Sequence, residues 1–194
     1  MTPKQKEAII KKITVIIKEI PTSIDLVKKG PKEHQRFQYL ARYIINNALQ
    51  KEALLVSSDG NGFAILHRTN PQKNSFWKDI WGELGLVFKV TGFRKALSLL
   101  KNQRYIKRQR PTKSAYLYCS FWGVVKGTPT STAREMKEEF FRRAKASQLP
   151  IYTETRMRKN ALVYQRYGFE VFHEWKRPDG ETAYFLKYTP PVEE

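Results

Sequence analysis

The apolar positions of the first fifty residues recur with the period of an α-helix. Between Lys4 and Ile20, five isoleucines fall at helical spacing, and Pro21 ends the run. From Glu33 to Gln50, a second set of apolar residues forms one continuous stripe. The chain is therefore predicted to open with two amphipathic helices, each with one face to bury.

The pattern changes after the second helix. Apolar residues at 53–57 and 63–66 flank the turn sequence Asp59-Gly60-Asn61-Gly62, and this arrangement predicts a short β-hairpin. A helical pattern then returns from Phe76 to Arg104, broken near two glycines. The first half of the chain is thus predicted to be helical apart from one hairpin.

The second half reads as strands alternating with helices. Tyr116–Val125 is an almost unbroken apolar and aromatic run, which is typical of a central strand covered on both faces. A hydroxyl-rich loop, Lys126–Thr132, leads into a helix that extends to about Ser147, and the capping-box spacing of Thr132 and Glu135 predicts where it starts. A strand, a helix and two strands are predicted to follow, at residues 151–155, 158–167, 169–175 and 182–188. This order favours a mixed α/β sandwich built on one sheet.

Composition narrows the class of protein. Hydrophobic residues make up 41% of the 194 positions and charged residues 28%, as in globular chains. No apolar run reaches the roughly 18–20 residues of a membrane span, and the N-terminus lacks the apolar core of a secretion signal. We therefore expect a single domain over residues 1–194, located in the cytoplasm. Cys119 is the one cysteine and the three histidines have no metal-ligand spacing, so we expect no disulfide and no metal site.

The charge of the chain is more informative. Thirty-six Lys and Arg residues face eighteen Asp and Glu residues, a formal net charge of +18. Lys89–Lys113 contains basic residues and no acidic one. Such a surface attracts polyanions, but the stretch could equally be a solvated face, a nucleic-acid patch or the rim of a phosphate-binding cleft.

A joint pattern in the second half of the chain is more specific than charge. It consists of Leu149–Thr155, then Asn160 and Tyr164 four residues apart, then Gly168-Phe169. Together these resemble the closing segment of the GNAT acetyltransferases, and the likeness extends over about Ser114–Tyr188. It implies an α/β fold with a mixed, mainly antiparallel sheet flanked by helices. Residues 1–113 would form the acceptor side and residues 114–188 the CoA-binding half.

The same resemblance implies an acetyl-CoA-dependent N-acetyltransferase, which transfers an acetyl group directly to a primary amine of a small molecule or peptide. By resemblance, Tyr164 protonates the leaving thiolate and Asn160 binds the pantetheine arm. The backbone of the central strand at Val124 and Val125 would contact the thioester. The general base is not assigned: Glu154, a residue of the first half, or solvent could serve, and Glu154 is equally explained as a strand residue bonded to its neighbours.

The loop after the central strand departs from the family pattern. There, GNAT chains have glycines whose backbone N–H groups wrap the pyrophosphate of CoA, whereas this chain has Thr128–Ala133 with Pro129, which lacks an N–H. The helix start and the loop hydroxyls are expected to bind the phosphates instead. The expected contacts are Thr128, Thr130, Ser131, Thr132, Ala133 and Arg134. A catalytically silent acyl-CoA-binding protein is therefore the alternative function. A basic nucleic-acid-binding module is more distant, since no motif beyond charge supports it.

Overall fold

In the computed structural model, residues 1–70, 90 and 93–191 are described, those at 93–100 by their backbone alone. Most of the predicted helical segment before Phe93 therefore lies outside the described residues. The chain opens with a helix, as predicted. This helix, α1 (Pro3–Ile17), ends three residues before Ile20, where the predicted helix ends. Pro21 then begins a short helix, α2 (Pro21–Leu26), because proline is well tolerated in the first turn.

The third helix, α3 (Glu33–Gln50), has the predicted bounds. The further helices are α4 (Phe93–Arg108), α5 (Thr130–Ser147) and α6 (Arg158–Arg166). The strands are β1 (Leu54–Val56), β2 (Gly62–Thr69), β3 (Tyr116–Val124), β4 (Ile151–Thr155), β5 (Glu170–Lys176) and β6 (Thr182–Tyr188). Across the described ranges the strands form one sheet of order β1-β2-β3-β4-β6-β5, antiparallel except between β3 and β4. The predicted fold class is confirmed.

Each face of the sheet has its own hydrophobic cluster. On one face, α1 and α3 pack against Phe63, Ile65 and Phe121. On the other, α5 and α6 pack against side chains such as Leu117 and Leu186. Side chains alternate between faces along each strand, so β3 contributes to both clusters and is covered on both sides, as the sequence predicts.

The start of α5 differs from the prediction. The helix begins at Thr130, with Pro129 at the N-cap and no side-chain cap. Thr132 lies inside the first turn, where it is buried and donates its hydroxyl to Asp59 at 2.7 Å. The Glu135 carboxylate accepts from the backbone N–H and the hydroxyl of Ser58. The predicted capping box is therefore wrong, because the β1–β2 turn is the partner of both side chains.

Candidate functional site

Strands β3 and β4 form a fork. Their parallel ladder contains only the pairs Leu117–Ile151 and Tyr118–Tyr152, while β3 continues to Val124. The Thr153 hydroxyl donates to the Cys119 carbonyl oxygen at 3.1 Å and so spans the base of the opening. Beyond this point, the described residues of the two central strands form no further backbone pairs with each other.

A β-bulge in β3 directs backbone groups into this fork. The register with β2 shifts between Ile65 and Leu66, which leaves Ser120 as the extra residue. Past the bulge, the Val125 N–H donates to the Asn61 carbonyl oxygen at 2.9 Å, so it faces β2. Successive N–H groups of a strand point in opposite directions, and the Val124 N–H therefore points toward the fork. Of the two backbone positions named from the sequence, Val124 is the one available to a ligand.

Helix α6 brings Tyr164 to the base of the fork. Asn160 and Tyr164 are one turn apart on the same face of the helix, and both are half-buried. The Tyr164 ring packs 5.8 Å from Trp122 and 5.2 Å from Phe169, centroid to centroid. The amide nitrogen of Asn160 makes a weak contact of 3.5 Å with the sulfur of Met157. The two residues thus share one face of α6, and their proposed roles stay predictions.

The Tyr164 phenol is held in its neutral form. Burial raises its pKa well above the usual value, and the nearby Cys119 and Glu154 add to the rise, while a hydrogen bond with Thr153 acts in the opposite direction. A phenol with a raised pKa remains protonated at neutral pH. It can therefore act as a proton donor toward a group in the fork.

Cys119 lies beside this phenol without being a nucleophile. Its side chain is buried, and burial raises the pKa of the thiol to about 12. The thiol donates to the Phe121 carbonyl oxygen at 3.6 Å. Because the thiolate is the reactive form, this cysteine is inert at neutral pH. The sequence interpretation of Cys119 as a small buried residue is confirmed.

Some backbone donors of the loop before α5 already have partners. The Thr128 N–H bonds the Val125 carbonyl at 3.2 Å, and the Thr132 N–H bonds the Pro129 carbonyl at 3.1 Å. Gly127 has φ +84° and forms a turn three residues before the helix. The other residues named from the sequence are exposed or half-buried around the helix start: Thr128, Thr130, Ser131, Ala133 and Arg134.

Asp59 places a carboxylate at this helix start. It accepts from the Ser57 hydroxyl at 2.6 Å, the Asn61 N–H at 2.9 Å and the Thr132 hydroxyl at 2.7 Å. These bonds lower the pKa of Asp59 well below its usual value, with Ser57 and Thr132 as the leading causes. The carboxylate is therefore ionised throughout the neutral range. Sequence reasoning missed it, since Asp59 was interpreted only as a turn residue.

On the opposite face of the sheet, Glu154 is part of a buried polar cluster. Both of its carboxylate oxygens lie 3.0 Å from Arg110 Nη2, and it accepts from the Tyr118 hydroxyl at 2.6 Å. The Arg110 guanidinium stacks 3.6 Å above the Tyr118 ring and is 3% exposed. These contacts favour the interpretation of Glu154 as a strand residue bonded to its neighbours. The sequence indicated a phosphate contact or a solvated residue at Arg110, and its burial against Glu154 was not predicted.

Two further clusters line the same face. Tyr105 of α4 stacks on Trp175 at 4.2 Å and places its hydroxyl 2.9 Å from Nε2 of His173. Arg156, at the end of β4, forms ion pairs with Asp25 of α2 and Glu181 beside β6. Both clusters join segments that are distant in sequence, so they could not be predicted from a local sequence pattern.

Among the described residues, no group of three or more His, Cys, Asp or Glu side chains is arranged to bind a metal ion. A search of the same residues for a helix long and apolar enough to cross a membrane also finds none.

Comparison with known proteins places the fold. No family model and no curated protein matches the sequence. Solved structures do match: a Corynebacterium glutamicum protein described as histone acetyltransferase HPA2 and related acetyltransferase has a TM-score of 0.66 at 16% identity, covering 100% of this chain and 95% of that chain.

The solved structures of two insect enzymes are also similar to this chain at low sequence identity. Arylalkylamine N-acetyltransferase 2 of Aedes aegypti has a TM-score of 0.63 at 13% identity, over 98% of this chain and 97% of that one. A Drosophila melanogaster polyamine N-acetyltransferase has a TM-score of 0.62 at 11% identity, over 96% of this chain and 95% of that one. At these identities the likeness shows the fold. The chain has the GNAT acetyltransferase fold, and the resemblance seen in the sequence is confirmed at that level.

Proposed function

We propose that the protein is an N-acyltransferase that moves an acetyl group from a pantetheine thioester, with acetyl-CoA as the expected donor, to a primary amine. One observation supports this most: the neutral phenol of Tyr164 lies at the base of a strand fork into which the Val124 N–H points. A thioester in the fork would have a backbone donor at its carbonyl and a proton donor at its sulfur.

The transfer follows from these positions. The neutral amine attacks the thioester carbonyl carbon, and the Val124 N–H stabilises the negative charge that develops on oxygen. The C–N bond forms, the C–S bond breaks, and Tyr164 donates its proton to the leaving thiolate. The excess proton of the amine passes to solvent, since Glu154 is engaged by Arg110 and Tyr118. Fixing both reactants in one ternary complex supplies much of the rate.

The acceptor is expected to reach the fork from the face of Glu154. On that face, α1 and α3 cover β2 and β3, whereas Tyr105 of α4 covers β5 and β6. The fork lies between these two covers. Because structures of the same fold include acetyltransferases of arylalkylamines and polyamines, such amines are the first acceptors to test.

A catalytically silent acyl-CoA-binding protein is the second candidate. The observation that favours it is the start of α5, where the loop lacks a glycine-rich cradle and Asp59 adds a negative charge. In this case the fork would bind the thioester without turning it over.

A thiol-release assay with acetyl-CoA separates the candidates. Arylalkylamines, polyamines, amino acids and short peptides are offered as acceptors, and the melting temperature is recorded with and without acetyl-CoA. Release that depends on an amine supports the transferase. A raised melting temperature without release by any amine supports the silent protein. If millimolar acetyl-CoA produces no thiol release and no rise in melting temperature, both proposed functions are contradicted.

A further inference from the structure

We propose that Lys12 is a positioning residue for the acyl transfer: through the β1–β2 turn, Ser57–Asn61, it holds the end of β3 so that the Val124 N–H stays directed into the fork. This inference rests on the proposed transfer at the fork and adds a residue of α1 that acts on it. Lys12 acts through Asn61 and is assigned no contact with either reactant.

The direction of the Val124 N–H depends on Asn61. Val124 pairs with Gly62 at the end of the β2–β3 ladder. One residue later, the Val125 N–H donates to the Asn61 carbonyl oxygen at 2.9 Å. This bond fixes the peptide group that follows Val124, and with it the opposite direction of the Val124 N–H. A displacement of Asn61 therefore changes where the Val124 N–H points.

The turn that contains Asn61 is connected by its own hydrogen bonds. The Ser57 hydroxyl accepts from the Gly62 N–H at 2.7 Å, and Asp59 accepts from the Asn61 N–H at 2.9 Å. The Gly60 N–H donates to the Ser57 carbonyl oxygen at 2.9 Å. Because these bonds connect its residues, the turn moves as one unit, and a contact with one part of it also restrains Asn61.

Lys12 contacts this turn from α1. Its ammonium group donates to the Gly60 carbonyl oxygen at 2.7 Å and to Asn61 Oδ1 at 2.8 Å, and the side chain is half-buried. At the other end of the same amide, Asn61 Nδ2 donates to Asp59 Oδ2 at 3.3 Å. The Asn61 side chain is thus held between a cation of α1 and a carboxylate of the turn. Hydrogen bonds to charged groups are stronger than those between neutral groups, so these contacts restrain the turn.

Helix α1 also lies directly against the end of β3. Lys12 and Ile16 are one turn apart on this helix. A Cβ on Gly123 would lie 2.7 Å from Ile16 Cγ2, so helix and strand approach closely at this point. Because α1 packs on the strand itself, the contacts of Lys12 fix the turn relative to the strand that contains Val124.

A purely structural role for Lys12 predicts a different result. If Lys12 only stabilised the fold, its loss would lower the melting temperature and leave the kinetic constants of the folded protein unchanged. If it positions the Val124 N–H, its loss should lower kcat. The KM for the donor should change little, because this N–H acts on an oxygen that becomes charged only in the transition state.

Steady-state kinetics with acetyl-CoA and one accepted amine test this difference in three variants. Lys12→Met retains the aliphatic stem without the ammonium group, and kcat should fall by about ten-fold or more, since outright removal of an oxyanion donor costs about 10²–10³-fold. The KM for acetyl-CoA should stay within about three-fold of the wild type. Lys12→Arg retains charged donors and should recover most of the lost rate. Lys11→Met, the same change at the exposed neighbouring position, should leave both constants as in the wild type.

Amide hydrogen exchange, followed by NMR, reports on the strand end without turnover. The Val125 N–H should exchange faster in Lys12→Met than in the wild type, because its acceptor on Asn61 is less restrained. The Leu117 N–H donates to the Pro150 carbonyl oxygen at the other end of β3 and should exchange as in the wild type. Lys12→Arg should restore the protection of the Val125 N–H.

Unchanged exchange at Val125 in Lys12→Met would overturn the inference, and so would faster exchange with an unchanged kcat. Equal acceleration at Val125 and Leu117 would show a general loss of stability and would overturn it as well. If the wild type turns over no amine although the exchange of Val125 depends on Lys12, the proposed function is contradicted while the contact of Lys12 with the strand end is confirmed.

Discussion

Tyr164 and Tyr167 are neighbouring phenols of the α6 segment with different surroundings. The Tyr164 hydroxyl interacts with Thr153 and Cys119 at the base of the fork. Tyr167 follows the helix as its C-cap residue, and its ring packs 6.0 Å from Trp122. The pair therefore offers a matched comparison between the phenol that we propose as the proton donor and a neighbouring phenol to which we assign no such role.

Tyr164→Phe should lower kcat by about ten-fold or more, because a positioned general acid typically contributes 10²–10⁴-fold and water replaces it in part. The phenylalanine retains the ring contacts, so folding and donor affinity should change little. Tyr167→Phe should leave kcat as in the wild type. Since the pKa of Tyr164 is raised, the wild-type rate should show no loss from its ionisation between pH 7 and 9. Steady-state kinetics with one amine measure the kcat of both variants and the pH dependence of the wild-type rate. If Tyr164→Phe and the wild type have equal kcat values, Tyr164 has a packing role and donates no proton.

Glu154 gives a second prediction at the residue scale. Arg110 is 3% exposed, and among the described residues it forms an ion pair with Glu154. Glu154→Gln should lower the free energy of unfolding by about 3 kcal/mol, as is typical when one partner of a buried ion pair is removed. Glu139→Gln breaks ion pairs on the surface of α5 and should cost less than about 1 kcal/mol.

Urea denaturation of the two variants measures this difference. If Glu154→Gln were as stable as the wild type but showed a lower kcat and an altered pH–rate profile, Glu154 would be the general base rather than a partner of Arg110.

At the scale of elements, the position of α5 depends on its contact with β2. Gly62 opens β2, and a Cβ there would lie 2.7 Å from Met136 Cγ. Met136 is buried at 1% exposure, so it has little room to move. The close approach of helix and strand thus requires glycine at this position.

Gly62→Ala should lower the free energy of unfolding by about 1–3 kcal/mol, the usual cost of overpacking. Met136→Ala should cost about 2–5 kcal/mol on its own through the cavity that it leaves. In the double variant the new methyl group occupies part of that cavity, so the combined loss should be smaller than the sum. Chemical denaturation of the three variants tests the coupling, and strictly additive losses would show that Gly62 and Met136 do not contact as described.

Elements with a strong local period could be predicted from the sequence, and contacts between distant elements could not. Helix α3 has the predicted bounds because its apolar stripe is long and regular. The start of α5 was placed wrongly because Thr132 has its partner 73 residues away, at Asp59. The bulge at Ser120, which turns the Val124 N–H into the fork, has no local signal in an apolar run. The position of Tyr164 relative to Asn160 could be predicted because both residues lie within one helix, and their roles stay predictions.

For the molecule as a whole, the contacts join the first 113 residues to the rest. Strands β2 and β3 pair from Gly62–Val124 to Thr69–Tyr116, so the longest ladder of the sheet crosses this division. The cluster beneath α1 and α3 includes Phe121 of β3. Arg156 binds carboxylates of α2 and of the β5–β6 turn. Among the described residues, each of the two hydrophobic clusters includes side chains from both segments.

We therefore propose one domain, and expect the chain to unfold in a single cooperative transition. Far-UV circular dichroism and tryptophan fluorescence should give coincident melting curves, and the calorimetric and van't Hoff enthalpies should agree. Separately expressed fragments 1–113 and 114–194 should fail to fold alone, because each loses its partner across the β2–β3 ladder and exposes an unpaired strand edge. Arg156→Gln should lower the melting temperature without splitting the transition, since the ladder and the cluster beneath α1 still connect the halves. Two separated transitions in the wild type would mean that the segments before and after residue 113 are independent units.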